Sequence, residues 1–181
     1  MREASKAGAK IFQYRDKGHG KRDKVRIATK LSRYAKAHGL TFIVNDDLDI
    51  AKKVDADGVH LGGKDAISGL REWQKRGKII GISASNMKEV TIAQRLGADY
   101  IGFGPVFKTP IKPNAKPTGI KYLRRVTKRV TIPIVAIGGV CARTIGQVIA
   151  SGAASGAVIR YVSGAKDIEK AVRKLFLAAS P

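Results

Sequence analysis

The 181-residue chain predicts an α/β fold, a TIM (β/α)8 barrel of parallel strands lacking the first strand. Three observations predict it. Short runs rich in Val, Ile and Ala recur at 10–14, 40–44, 57–61, 79–83, 100–103 and 132–137 without strict alternation, as strands covered on both faces do. Four junctions between helix-period stretches and these runs look alike: Ala7-Gly8-Ala9-Lys10, Val54-Asp55-Ala56-Asp57, Leu96-Gly97-Ala98-Asp99 and Ser151-Gly152-Ala153-Ala154. Glycine there supplies a left-handed helix end, and the small Ala lets the chain turn into the next strand. Finally, polar residues follow or end successive runs: Gln13 to Lys17, Asn45-Asp46, Asp65, Ser83, Thr109 to Lys112 and Gly138-Gly139. Polar groups gathered at one end of buried parallel strands share one face, which in such a barrel is the catalytic one.

In chain order, a charged helix over 2–7 leads to a strand at 10–14 that ends in the polar Gln13-x-Arg15 alternation. A long basic helix over 22–38 precedes a strand at 40–44, and a short helix near 47–54 precedes a strand at 57–61. A helix at 66–76 and a strand at 78–83 follow, then a helix at 86–96 and a strand at 99–103. A long loop at 104–117 leads to a helix at 118–129, a strand at 132–137, a helix at 141–151, a strand at 155–159 and a closing helix at 165–178. One βα unit is completed roughly every 20–30 residues, the rhythm of a parallel fold. This makes seven strands and eight helices, and the chain opens on what reads as the first helix, so the piece missing from a complete barrel is the first strand. No Pro/Ser-rich linker interrupts it, and 1–181 reads as a single TIM-barrel domain.

The single cysteine, Cys141, cannot form an internal disulfide. With no signal-like start and no apolar run long enough for a bilayer, the chain reads as soluble, without a membrane partner, and cytoplasmic. Its 35 Lys+Arg against 14 Asp+Glu give a formal charge of +21, densest through Lys21, Arg22, Lys24, Arg26, Lys30, Arg33 and Lys36. That charge fits attraction to polyanions or phosphorylated substrates, and fits equally a solvated basic helix. Aromatics are only 6% and form no RNA-binding motif, so a nucleic-acid partner rests on net charge alone. A homo-oligomer is compatible with these observations.

Gln13-x-Arg15-x-Lys17 places an amide, a guanidinium and an ammonium on one side of a strand end, which suits a diphosphate or an ordinary charged surface. Asp46 and Asp65 end consecutive strands. Two carboxylates beside cationic groups suit a Mg²⁺–diphosphate site, while Asp also commonly caps the helix that follows it. The Pro- and Lys-rich segment Gly104 to Lys112 reads as a binding loop. Gly138-Gly139 would let backbone amides approach an anion. His60, within Gly58-Val59-His60-Leu61-Gly62, reads as a hydrogen-bonded core residue, and His19 and His38 as loop and helix-end residues. No Ser/His/Asp grouping or Cys/His cluster supports a hydrolase triad or a structural zinc.

In this order the motifs resemble the thiamine phosphate synthase family and its TenI-like branch. The segments that carry the resemblance are Gln13-Tyr14-Arg15-Asp16-Lys17, Phe42-Ile43-Val44-Asn45-Asp46, Asp57 to Gly62 with Asp65, Gly81-Ile82-Ser83-Ala84, Gly97 to Phe107 and Pro133 to Gly139. The resemblance implies a transferase that couples a hydroxymethylpyrimidine diphosphate to a thiazole phosphate, giving thiamine phosphate and diphosphate. Diphosphate would leave first and the thiazole nitrogen would capture the pyrimidine cation. It further implies that Gln13, Arg15, Lys17, Asn45, Ser83 and Lys112 hold the pyrimidine diphosphate, and that Asp46 and Asp65 carry Mg²⁺. Thr109 and Gly139 would contact the thiazole phosphate, with Ile159 and Arg160 at the end of the last strand.

Four features depart from the family pattern: Gly62-Gly63-Lys64-Asp65 in place of a Gln before the acidic residue, Ile111 for a Thr, Arg160 for a Ser, and the absent first strand. Two alternatives remain open at this point. A TenI-like thiazole tautomerase would carry a His where Ser85 stands and would lose the cationic strand motif. A degenerate phosphate- or nucleic-acid-binding paralogue would account for the charge, Ile111, Arg160 and the missing strand.

Overall fold

The computed structural model describes residues 1–62 and 69–180. Helices and strands alternate as α1 (Arg2–Lys6), β1 (Ile11–Tyr14), α2 (Lys21–Ala37), β2 (Thr41–Asn45), α3 (Leu48–Lys53), β3 (Gly58–Leu61), α4 (Leu70–Lys75), β4 (Ile79–Ala84), α5 (Met87–Arg95), β5 (Tyr100–Phe103), α6 (Ile120–Thr127), β6 (Ile134–Ile137), α7 (Ile145–Ala150), β7 (Ser155–Ala157), α8 (Arg160–Ser163) and α9 (Ile168–Ala179). The strands form one parallel sheet in the order β1-β2-β3-β4-β5-β6-β7, every neighbour being the next in sequence. This is a TIM-type barrel left open between β7 and β1, and the expectation of seven strands with the first position unfilled holds for the described residues. Among those residues no helix is long and apolar enough to cross a membrane.

Sequence explains the two layers of the wall. On the outward side of the strands, Phe42, Val44, Val59, Ile80, Ile101 and Phe103 are buried against Trp73, Val90, Leu123 and Val126 of the surrounding helices. Trp73 is 1% exposed and its Nε1–H donates to the Ile79 carbonyl at 3.2 Å; truncating a side chain of this size costs about 3–5 kcal/mol. A small second core of Ala4, Ala7 and Val172 joins α1 to α9.

The inner side is filled by large residues set against glycines. Ile43 pairs with Gly58, which pairs with Ile79, and a Cβ on Gly58 would stand 2.5 Å from Ile43 Cδ1 and 2.7 Å from Ile79 Cβ. One layer on, His60 pairs with Gly81 and Gly81 with Tyr100. A Cβ on Gly81 would collide with the Tyr100 ring and lie 2.5 Å from His60 Nδ1. A narrow barrel interior has room for a large side chain only where its neighbour has none.

The recurrent junctions gain a second role. Asp57 Oδ2 accepts from the Phe42 amide at 2.8 Å and Asp99 Oδ2 from the Ile80 amide at 2.7 Å, so each carboxylate stitches its strand to the preceding one at the foot of the sheet.

Several boundaries differ from expectation; β6 starts at Ile134 instead of 132 and α9 at Ile168 instead of 165, and three others have a local cause. α6 starts at Ile120 because the Thr118 and Gly119 amides are engaged by the carbonyls of Pro105 and Val106, at 2.8 and 3.0 Å. α7 starts at Ile145, four residues late, because Cys141 to Thr144 form a turn in which the Thr144 hydroxyl accepts from the Cys141 amide and donates to the Gly139 carbonyl. The last strand ends at Ala157, and the unexpected α8 follows, so Ile159 and Arg160 lie at a helix start instead of a strand end. The first residues of the helix expected over 66–76 lie outside the described residues.

Candidate active site

Because all seven strands run parallel, their C-terminal ends define one face. Gln13, Asn45 and Ser83 are near the C-terminal ends of β1, β2 and β4; Arg15, Lys17, Asp46, Thr109, Lys112, Gly139 and Ile159 are in the loops that leave β1, β2, β5, β6 and β7, and Arg160 opens α8 just after β7. Every expected site residue within the described part thus falls on that face. Asp65 lies outside the described residues.

The loop after β1 is built around Asp16. Its Oδ1 accepts from the amides of Gly18 and His19 at 2.9 and 3.1 Å, and its Oδ2 accepts from the Tyr14 hydroxyl at 2.8 Å. His19 Nδ1 also lies 2.8 Å from Oδ2. These bonds, the His19 amide first, hold the Asp16 carboxyl well below the usual carboxylate range. Burial and the Asp16 carboxylate push the Tyr14 hydroxyl up to about 12. The turn that results leaves Arg15 and Lys17 exposed, and neither has an ion-pair partner among the described residues.

At the end of β2 two neighbouring carboxylates have different work. Asp47, not Asp46, caps the following helix, its Oδ1 accepting from the Ile50 amide at 2.9 Å. Asp46 adopts a left-handed backbone, with φ 66, which turns it out of the capping position, and its carboxylate is exposed without a salt bridge among the described residues. Beside it, Asn45 Nδ2 is buried and has no hydrogen-bond partner among the described residues. An orphaned amide donor costs about 1–3 kcal/mol, a cost that an acceptor on a ligand removes. A free carboxylate on the rim fits a hard, oxygen-seeking cation such as Mg²⁺, which takes one or two carboxylates and completes its shell with phosphate oxygens and water. The described residues contain no group of three acidic, His or Cys side chains that would form an all-protein cage.

Inside the barrel, His60 joins two strands that the sequence had kept apart. Its Nδ1 lies 2.9 Å from the Tyr100 hydroxyl and its Nε2 lies 2.9 Å from Ser83 Oγ. Gly81 and Gly102 make room for the imidazole, since a Cβ on Gly102 would stand 2.7 Å from His60 Cε1. At 8% exposure, burial pushes the His60 imidazole down to about 4 and it is neutral at physiological pH. Burial likewise pushes the Tyr100 hydroxyl up to about 12, against a smaller lowering by Gln13.

The loop from β5 to α6 packs against the glycine pair after β6. Val106 and Phe107 donate to the carbonyls of Ile137 and Gly138 at 2.8 and 3.0 Å. A Cβ on Gly138 would stand 2.5 Å from Pro105 Cβ, and one on Gly139 2.7 Å from the Lys108 carbonyl. Close approach of this loop therefore explains the glycine pair by itself. Thr109 is buried in the loop, whereas Ile111 and Lys112 are exposed. Burial raises the Glu89 carboxyl, but hydrogen bonds from the Ser85 amide and hydroxyl, with the Lys112 charge, outweigh it and hold Glu89 below its ordinary value. Ser85 is thereby committed to Glu89.

Sequence reasoning missed Asp16, Tyr100 and the link through His60. Strand parity carried a usable signal: on adjacent parallel strands Asn45, His60, Gly81 and Tyr100 align in register, and a His and a Tyr flanking a glycine share an interior layer.

A sequence model of the family described as thiamine monophosphate synthase matches residues 1–162. The chain is 41% identical over 171 residues to a thiamine-phosphate synthase of Pelotomaculum thermopropionicum, covering 93% of this chain and 78% of the relative. It is 43% identical over 175 residues to that of Methanospirillum hungatei, covering 96% and 85%. Among solved structures, thiamine phosphate pyrophosphorylase from Pyrococcus furiosus superposes with a TM-score of 0.88 at 36% identity, over 98% of this chain and 86% of that one. A 3-hexulose-6-phosphate synthase from Salmonella typhimurium, at TM-score 0.75 and 18% identity over 99% and 90%, shares the fold.

Proposed function

The chain belongs to the thiamine monophosphate synthase family, and from that premise we propose how its residues serve a thiamine-phosphate synthase, a transferase of thiamine biosynthesis. The substrates are hydroxymethylpyrimidine diphosphate and thiazole phosphate. The bond from the pyrimidine methylene carbon to the diphosphate oxygen breaks, the diphosphate leaves with the electron pair, and the thiazole nitrogen forms the new C–N bond with the resulting cation. The products are thiamine phosphate and diphosphate.

Charge grows on the leaving oxygens, so the residues that matter are cations and donors aimed at the diphosphate. Arg15 offers a fork of N–H donors, Lys17 and Lys112 offer mobile point charges, and the unpartnered Asn45 amide offers a donor already withdrawn from water. Asp46 and Asp65 would hold Mg²⁺, which when bound neutralises part of the diphosphate charge. Gln13 and Ser83 would meet the pyrimidine end. Thr109 and Gly139 would meet the thiazole phosphate, with Ile159 and the exposed Arg160 at the rim beside it. All act within one barrel domain over 1–181.

The observation that carries this reading is the set of Arg15, Lys17 and Asp46, rim charges that the described fold leaves without salt-bridge partners. The test is direct: purified protein with both substrates and Mg²⁺ should release thiamine phosphate and diphosphate, and folded protein that forms neither would refute it.

A further inference from the structure

We propose that the outer face of α6 is a docking surface for a nucleic-acid duplex, which it grips by the phosphodiester backbone without reading base sequence. This property goes beyond the transferase reading and does not depend on it.

The +21 charge is unevenly spread. From Tyr100 to Lys166 the sequence holds eleven Lys and Arg and no Asp or Glu. That stretch is one continuous sector of the wall, β5 to β7 with α6, α7 and α8. The densest basic run in the sequence, α2, is partly neutralised by the fold: Lys21 pairs with Asp49, Arg26 with Asp23 and Lys36 with Asp55. On α6 no carboxylate does the same. Lys121, Arg124, Arg125 and Lys128 are exposed and enter no salt bridge among the described residues. Their spacing of i, i+3, i+4 and i+7 sets them in one stripe, opposite the buried Leu123 and Val126. The stripe is about 10 Å long, the span of about three phosphates on one strand of a duplex.

Two details fit it to a ridge of phosphates. Arg125 lies over the Tyr122 ring, 5.5 Å from its centre, and such stacking steadies a guanidinium while its N–H groups stay available to an anion. Towards the other end, Arg124, Thr127 and Lys128 line a cleft of about 410 Å³ together with Ala150, Ser151 and Gly152. The Thr127 hydroxyl donates to the Ser151 carbonyl at 2.6 Å and ties the two sides of the cleft together. Residue content then selects the partner. No large exposed apolar side chain lies on α6, so the face has nothing to insert into a bilayer. Its one ring, Tyr122, is half-buried beside Arg125 and offers no platform on which unpaired bases could stack.

The test is fluorescence anisotropy of the whole protein with DNA and RNA duplexes of about 24 base pairs, in separate arms, over about 50–300 mM salt. The expected Kd is tighter than about 10 µM at the lowest salt, and log K should fall against log salt with a slope of about −3.6, for four phosphates neutralised. Arg124→Glu/Lys128→Glu should weaken binding about tenfold or more and make the slope shallower by about 2. Arg124→Gln/Lys128→Gln removes the same two contacts without reversing charge at the helix end, and should shift the slope equally. Lys30→Glu/Arg33→Glu alters net charge as much as the first pair, at exposed α2 positions outside its salt bridges, and should leave Kd within about threefold. Binding of either duplex with this pattern supports the proposal and identifies the source of the backbone. No binding at the lowest salt, or equal losses from the α6 and α2 pairs, overturns it. A preference of about tenfold for one base sequence, or α6-dependent binding to phosphatidylserine vesicles in place of duplex, overturns it as well. Binding is read without substrates, so an inactive wild type that holds duplex through α6 counts against the functional reading alone.

Discussion

Gly81→Ala is the smallest change that tests the interior of this barrel. Gly81 lies between His60 and Tyr100 in register, and it does not have a positive φ, so the substitution introduces no backbone strain. The added methyl would collide with the Tyr100 ring and lie 2.5 Å from His60 Nδ1, where ordinary contact is 3.4–4 Å. The two rings must separate by about 1 Å, a shift that breaks their 2.9 Å hydrogen bond. Overpacking of this kind costs about 1–3 kcal/mol. The orphaned buried nitrogen and hydroxyl add about 1–3 kcal/mol more. For a chain of this size a loss of about 2–6 kcal/mol lowers Tm by about 4–24 °C. Urea unfolding should show the lower midpoint with an unchanged slope, and steady-state kinetics on the folded fraction should show a raised KM for the pyrimidine diphosphate. A Gly81→Ala protein with wild-type midpoint and KM would refute the packing argument outright.

Rim and interior should respond differently. Arg15→Ala and Lys17→Ala each remove a cation with no ion-pair partner among the described residues; each should cut kcat/KM by about 10–150-fold, the worth of one charge-assisted hydrogen bond, with Tm unchanged. Asp46→Asn keeps a residue that tolerates φ 66, and should lose Mg²⁺-dependent turnover while retaining stability, whereas Asp47→Ala should lose about 1 kcal/mol of stability with its helix cap. His60 is depressed from its ordinary 6.5 to about 4, so between those values the unfolded chain binds the proton and the native protein does not. Its contribution is therefore complete above about 6.5 and is lost as pH falls to about 4, a change of about 3 kcal/mol. Denaturation at stepped pH should show that slope in the wild type and lose it in His60→Gln.

Most of the fold was legible because most strands are short apolar runs, and several of the helices before them end in small-residue junctions. The shifts at element ends have local causes that no periodicity encodes. Thr118 and Gly119 look helical, but their amides are claimed by the Pro105 and Val106 carbonyls. Cys141 to Thr144 read as a first turn of helix, but the Thr144 hydroxyl closes them into a separate turn. The four residues of α8 are too few for any apolar period to register. Asp46 and Asp47 were indistinguishable as letters, since either can cap a helix that starts nearby. Only the left-handed backbone at Asp46 separates a rim carboxylate from a cap.

His60 shows why the interior of the site was harder to read than its rim. As a lone histidine in an apolar run it was expected to be a hydrogen-bonded core residue, and it is one, 8% exposed and bonded through both nitrogens. What one strand's sequence cannot display is that its partners come from β4 and β5, and that the glycines beside them are the ones a narrow barrel needs to admit any large side chain. At Gly58, Gly81 and Gly102 the requirements of packing fall on single residues, and at the last two they coincide with those of the hydrogen-bonded chain. Arg15 and Lys17, by contrast, enter none of the described salt bridges or core clusters. Substitutions on the rim can therefore change affinity while the fold stays intact. Within the Gly81–His60–Tyr100 layer, any change that moves a ring alters stability and binding together, and the ratio of the two effects identifies which kind of residue has been touched.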